Sequence, residues 1–276
     1  MATGFSDGTY YAVGEAMNEI LEPSFLLKKT RGSRDNIRFV SNGEADIAIS
    51  QFDSWSEQVS KDKSLLQKVR LLMPLYSEEL HVVTSQKIKS LKELKGKRIS
   101  IGADASGIET TSLLVLQTLN IRTPDVKLFR EPTANALAML KIHERDALFV
   151  VAGAPVKAFQ ILKKPSFRLN SINKNERKTL TSGLLQYRNA TISENQYSWL
   201  KKKKIKTISV DSVLIGSAML KDRDVNQLLR QIFANQKALE NRHEKFRQLN
   251  VLKIKKLLSR NREQFHRAVV DTFKTL

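Results

Sequence analysis

The stretch SLKELKGKRISIGADASGIETTSLLVLQTLN, residues 90–120, decides the fold class. It reads as a short helix, a turn at Gly96, a strand ending at Gly102, and a helix from about Ile108 with apolar residues at helical spacing. Neighbouring segments repeat the alternation. GEADIAISQFD is a turn followed by a buried strand, Asp46 to Ser50; LHVVTS is a strand, Leu80 to Ser85; DALFVVAG is a further apolar strand. TISVDSVLIGSAML is a strand pair or one long strand. From Lys221 onward the pattern is helical, with Leu228, Leu229, Ile232, Phe233, Leu239, Phe246, Leu249, Leu257, Leu258, Phe265 and Val269 on the apolar faces. Short apolar strands alternating with helices predict an α/β protein with largely parallel sheets.

Composition narrows the function. The 276 residues suffice for one or two domains, and no apolar run is long enough to span a bilayer. The sequence has no cysteine, which excludes disulfides, thiol catalysis and cysteine-bound metal centres. The net charge of +19 raises nucleic acid or an anionic membrane as partners. Its distribution argues otherwise. Residues 1–162 hold 21 Lys/Arg and 19 Asp/Glu, whereas residues 163–206 hold 12 and 2, and residues 221–276 hold 14 and 6. The glycine-bearing motifs therefore lie in a nearly neutral region, and no nucleic-acid partner is expected. The run Lys201 to Lys204 reads as a solvated loop.

Three helix starts share one design. Ser6, Asp7, Gly8 and Thr9 precede a helix running towards Leu21; Gly32 and Ser33 precede one ending near Asn42; Ser106 and Gly107 precede the third. A helix N-terminus presents unpaired N–H groups and about half a positive charge, which favours a carboxylate or phosphate. The competing reading is ordinary capping, for which Ser106-x-x-Glu109 has the spacing of a capping box. Each start follows the carboxyl end of a predicted strand, where ligands of open α/β sheets lie. His81, His143, His243 and His266 lack metal-ligand spacing, and no nucleophile elbow, Walker A loop or dinucleotide fingerprint occurs. The loops read as a binding surface with no catalytic residue, no metal site and no cofactor.

TGFSDGTYYAVG (3–14), GSRDNIRFVSNGEADIAISQFD (32–53), PLYSEELHVV (74–83), SLKELKGKRISIGADASGIETTSLLVL (90–116) and LFVVAGAP (148–155) follow one another here. In this order they resemble the TAXI solute receptors, substrate-binding proteins of one class of tripartite ATP-independent periplasmic (TRAP) transporters. The resemblance covers residues 2–160 well and the rest loosely. It implies a type II periplasmic binding protein fold: two α/β lobes joined by two crossing strands, with a ligand cleft between them. Lobe one would comprise residues 1–83 and 212–276, and lobe two residues 84–211. It also implies a periplasmic mature form without its signal peptide, a monomer that hands a small carboxylate or amino acid, such as glutamate or glutamine, to TRAP membrane subunits. From the residues alone, the lack of a secretory signal before the first loop fits either a cytosolic protein or a mature form with an added methionine.

Carried over position by position, the implied contacts are Ser6, Gly8, Thr9, Tyr10, Gly32, Ser33, Gln51 and Tyr76 in lobe one. Ser106, Gly107, Thr110, Thr111, Gly153 and Ala154 follow in lobe two. Tyr10, Tyr11 and Tyr76 also suit packing, and Gln51 and Asp53 also suit loop bracing. Asp7 and Arg31 depart from the small residues usual there; each either reaches the ligand, Asp7 holding an ammonium and Arg31 an anion, or points to solvent. The ending REQFHRAVVDTFKTL departs from the family's P-x-HPGA. The alternative function is a basic interaction or sensor protein that binds an anionic partner on the same scaffold.

Overall fold

The computed structural model describes residues 1–162, 166–183, 186–200 and 203–274. Lys201 and Lys202 of the lysine run lie outside the described residues. The chain divides into two units, Met1–Tyr76 with Asp211–Leu276, and Ser77–Val210. The boundaries expected from the sequence, 83/84 and 211/212, stand seven residues and one residue beyond these.

The first unit opens with α1 (Thr9–Ile20), α2 (Ser33–Ser41), β1 (Ile47–Gln51) and α3 (Phe52–Lys61). The long strand β2 (Val69–Ser85) then carries the chain into the second unit. That unit holds β3 (Arg98–Ser100), α4 (Gly107–Thr118), β4 (Lys127–Phe129), α5 (Thr133–Lys141) and β5 (Ala147–Ala152). It continues with β6 (Phe167–Leu169), α6 (Lys174–Gly183) and β7 (Arg188–Ile192). A second long strand, β8 (Ile205–Ser217), returns to the first unit, which closes with α7 (Asp222–Ala234), α8 (Gln236–Arg242), α9 (Val251–Asn261) and α10 (Arg267–Lys274). TISVDSVLIGS thus lies within one strand.

The expectation of largely parallel sheets is corrected. In the second unit β3 pairs in parallel with β4 and β5, as helical crossovers require. β5 and β6 run antiparallel to β2, and β7 antiparallel to β8. In the first unit β1 is antiparallel to β8, from Ile47↔Gly216 to Gln51↔Ser212. The two through-going strands enter each unit against the direction of the strands they meet, so the antiparallel pairs come from them. Ala2 adds a parallel bridge to Ala48.

Each unit has its own core. In the first, Met17, Ile49, Trp55, Leu71, Met73 and Leu214 are buried together with Leu229, Ile232, Phe246, Ile254, Phe265 and Val269 of the C-terminal segment. Side chains of this kind stabilise by roughly 1.5–3 kcal/mol each when fully buried. The Trp55 indole donates to Gln264 Oε1 at 2.7 Å, so its one polar atom is satisfied. In the second unit Val83, Leu137, Leu148 and Val150 pack with Phe159, Tyr197 and Trp199.

Candidate functional site

Three helices of the first unit start near one another. Gly8 is the N-cap of α1, Gly32 of α2 and Gln51 of α3, and none supplies a side-chain cap. Gly32 has φ 118° and ψ −147°, a backbone state that a Cβ disfavours, so glycine is required at this turn. The starts of α2 and α3 are stitched directly: Ser33 Oγ accepts the Gln51 N–H at 2.9 Å. Tyr10, in the first turn of α1, lies 3.4 Å from the same Ser33 oxygen through its hydroxyl. Ser50 Oγ donates to the Ser33 carbonyl at 3.4 Å.

The sheet brings Tyr76 to this end as well. Gln51 is opposite Ser212, and the Ser212 hydroxyl accepts the Tyr76 N–H at 3.3 Å and donates to the Tyr76 carbonyl at 3.1 Å. Tyr10, Ser33, Gln51 and Tyr76 therefore gather at the carboxyl end of β1. Gln51 is 2% exposed, and among the described residues neither its Oε1 nor its Nε2 has a hydrogen-bond partner. Ser54 Oγ, one turn along α3, is buried in the same state. Buried polar side chains are nearly always hydrogen-bonded, so an amide and a hydroxyl without partners among the described residues at one helix start keep hydrogen-bonding capacity for a further polar atom.

Three expected contacts, Ser6, Asp7 and Arg31, stand apart. Ser6 and Asp7 are exposed on the turn before Gly8, whose N–H closes that turn on the Phe5 carbonyl at 2.9 Å. Thr9 is half-buried. Arg31 is held by Asp35 of α2: its Nε and Nη2 donate to the two carboxylate oxygens at 2.8 and 2.9 Å. The Arg31 hydrogen bond leads in holding the Asp35 carboxyl below its ordinary range, with burial opposing. The guanidinium is thus neutralised by a neighbour on its own helix start.

In the second unit Ser106 is the N-cap of α4, and its Oγ accepts the Glu109 N–H at 3.1 Å. The Glu109 carboxylate turns back to accept from Ala105 N at 3.0 Å, one residue before the cap, and also pairs with Arg130. The capping reading of Ser106-x-x-Glu109 is realised in this shifted form. Gly107, Thr110 and Thr111 lie in the buried first turn, and Thr110 Oγ1 has no partner among the described residues. Gly153 and Ala154 follow β5, where Ala154 N–H donates to Glu79 Oε2 at 2.9 Å. The next amide, Val156 N–H, donates to the Tyr197 hydroxyl oxygen at 2.7 Å. That hydroxyl lies 2.9 Å from His81 Nε2, and His81 Nδ1 lies 2.8 Å from the Glu79 carbonyl. Burial raises the Tyr197 pKa, so the phenol stays protonated and donates to Nε2, while Nδ1–H donates to the carbonyl. His81 braces the loop after β5. Among the described residues no group of three His, Asp or Glu side chains is placed to hold a metal ion.

A model of the NMT1-like family matches residues 1–274. The chain belongs to the NMT1-like family. Solved structures similar to this NMT1-like chain include the periplasmic aliphatic sulphonate binding protein SsuA from Escherichia coli, at 11% identity and TM-score 0.53. The match covers all of this chain and 82% of that one. A putative L-cystine ABC transporter protein from Listeria monocytogenes matches at 12% identity and TM-score 0.54, covering 89% and 93%. A Xanthomonas citri protein solved bound to ATP matches at 11% identity and TM-score 0.54, covering 100% and 98%. The fold of this family member is the type II periplasmic binding protein fold.

Several residues of the NMT1-like chain that build the site carry no signal in the sequence. Asn36 is fully buried: its amide donates to the carbonyls of Thr3 and Ile49, and its Oδ1 accepts from Thr30 Oγ1 at 2.6 Å. It ties the N-terminal segment, the turn before α2 and β1 into one corner. Glu79 and Tyr197 lie 118 positions apart and are brought together by the β5 loop and by His81. Ser212 joins the site through its register opposite Gln51 and its hydroxyl's bonds to Tyr76.

Proposed function

We propose that this chain is an extracytoplasmic solute receptor of the TAXI type, which binds a small carboxylate such as glutamate, glutamine or a related acid and delivers it to a TRAP-type membrane transporter, without catalysis. The observation that carries the reading is Gln51: a buried amide with no partner for either polar atom among the described residues, at the meeting point of α1, α2 and α3. Its Nε2 suits a carboxylate oxygen and its Oε1 suits an ammonium or amide N–H. The helix starts add oriented N–H groups and partial positive charge at the same place. The neutralised Arg31 leaves backbone and amide groups, rather than a guanidinium clamp, to receive the anion. The sequence motifs of the TAXI receptors and the type II fold support the transport role and a periplasmic location. Ser106, Gly107, Thr110, Thr111, Gly153 and Ala154 enter the proposal as further contacts through that resemblance.

A thermal-shift screen of the whole chain against amino acids and dicarboxylates tests the reading. A ligand at 100 times its Kd adds about 2.7 kcal/mol of stability, well within detection. One acid, or a small related set, should raise Tm and give saturable heats in titration. A flat response across the set rejects the carboxylate, and Gly107→Val with unchanged affinity removes the α4 start from the contacts.

A further inference from the structure

The register of β1 against β8 separates two ends of the first unit's sheet. Gln51 and Ser212 mark the end with the candidate site; Ile47 and Gly216 mark the other. Four residues of strand place these ends about 13 Å apart. Beyond Gly216, at the far end, lies an open trough of about 1070 Å³. Its walls come from the start of β2, the turn after β8 and the segment leading into α10.

The trough combines two chemistries. Arg70, Lys221, Arg262 and Arg267 stand along it with Glu263 and Asp271, four cations against two carboxylates. Arg267 is held by Asp222 at 2.7 Å, and Arg70 donates to the Glu263 carbonyl, so these two have partners in the protein. Lys221 and Arg262 are exposed and have no carboxylate partner among the described residues. The lining also carries apolar side chains, Leu220, Phe265, Val270 and Met219, of which Met219 is 85% exposed. A methionine this exposed leaves a flexible apolar surface in water, and such surface adapts readily to a partner's side chain.

We propose that this trough docks an acidic segment of a partner protein, with Asp or Glu side chains on Lys221 and Arg262 and one aliphatic side chain over Met219. The excess of cations over Glu263 and Asp271 favours an anion, and the exposed methionine favours a partner that also brings apolar surface. The concave shape suits an extended chain better than a flat bilayer. Among the described residues no exposed aromatic ring lines the trough, which argues against single-stranded nucleic acid, since it binds largely by stacking. The proposal concerns the end of the sheet away from Gln51 and stands apart from the solute-receptor reading.

Display selection with random eight-residue peptides on the full chain, counter-selected on a Lys221→Glu/Arg262→Glu variant, tests it. Both substitutions are on the surface, and circular dichroism checks that the variant folds. Enriched peptides should carry acidic residues flanking an aliphatic one. By fluorescence anisotropy they should bind the wild type about tenfold or more tighter than the variant, and more weakly as salt rises. Met219→Ser should weaken them by about fivefold while leaving the salt dependence unchanged. No enrichment overturns the proposal, as does equal binding to wild type and variant. So does variant-sensitive binding to phosphatidylglycerol vesicles or to a single-stranded oligonucleotide in place of the peptides. The thermal-shift response to small acids should be the same in both proteins, so failure here is distinguishable from failure of the receptor reading.

Discussion

Ser33 Oγ accepts the backbone N–H of Gln51 at 2.9 Å, and by this one bond the first turn of α2 fixes the N-cap of α3. Both residues are buried, with Ser33 at 1% and Gln51 at 2% exposure. Two helix starts that are 18 positions apart in sequence thereby share one polar corner.

Replacing Ser33 with Ala should expose the value of that link. The Gln51 N–H would be left buried without its acceptor, at a cost of about 1–3 kcal/mol. Chemical denaturation should show a lower midpoint with an unchanged m-value. Affinity for the acid found in the screen should also fall, because α3 loses its anchor. Unchanged stability would mean that another acceptor takes over.

Gln51→Met should separate stability from binding. The side chains are similar in volume, and the amide has no partner among the described residues, so burying a thioether instead should leave stability unchanged or raise it by about 1 kcal/mol. Ligand affinity should drop more than about tenfold, the loss expected for an unmet hydrogen bond to a charged group. A variant that is destabilised yet binds normally would make Gln51 a bracing residue.

Gly102→Ala should damage the second unit at the start of α4. Gly102 has φ 89°, and a Cβ there would lie 2.6 Å from Ile108 Cβ and 2.8 Å from Ser106 Oγ. The strained φ alone costs of order 1–3 kcal/mol, and the contacts add to it. Hydrogen exchange should speed up most in α4. Equal protection in mutant and wild type would show that the loop relaxes without cost.

Acid should weaken the first unit through His266. Burial leads in lowering its pKa below 6.5, and the ring is neutral in the fold: Nε2 lies 3.1 Å from the Leu220 carbonyl, and Nδ1 accepts from Ala268 N at 3.3 Å. The unfolded chain therefore binds the proton more tightly. Stability from this group is fully present above about pH 6.5 and declines as the pH falls through that value towards the folded pKa. His266→Gln should flatten the pH dependence of Tm in that range. An identical acid slope in the variant would place the sensitivity elsewhere.

The α/β class and several helix starts were legible in the chain because their causes are local. Gly8, Gly32 and Ser106 punctuate the sequence directly before α1, α2 and α4, and the apolar period after Lys221 picks out Leu229, Ile232, Phe246, Leu258 and Val269, all buried. The start of α3 was not legible: FDSWSEQVSK follows β1 with no glycine or small polar cap, and Gln51 serves as N-cap without using its side chain. The full length of β2 was hidden as well, since Pro74, Glu78 and Glu79 interrupt its apolar pattern. Strand direction depended on partners rather than on residues, because the periodicity of a strand is the same in parallel and antiparallel pairs. The state of the candidate residues was likewise a tertiary matter. Sequence spacing placed Arg31 at a helix start, and the fold handed its charge to Asp35. Gln51 was one of several candidates until strand register set it against Ser212 and helix packing set it against Ser33. Local chemistry determines where a helix begins. Which polar atoms are left without a partner is decided only when distant segments close over them, because burial and pairing are properties of the assembled core.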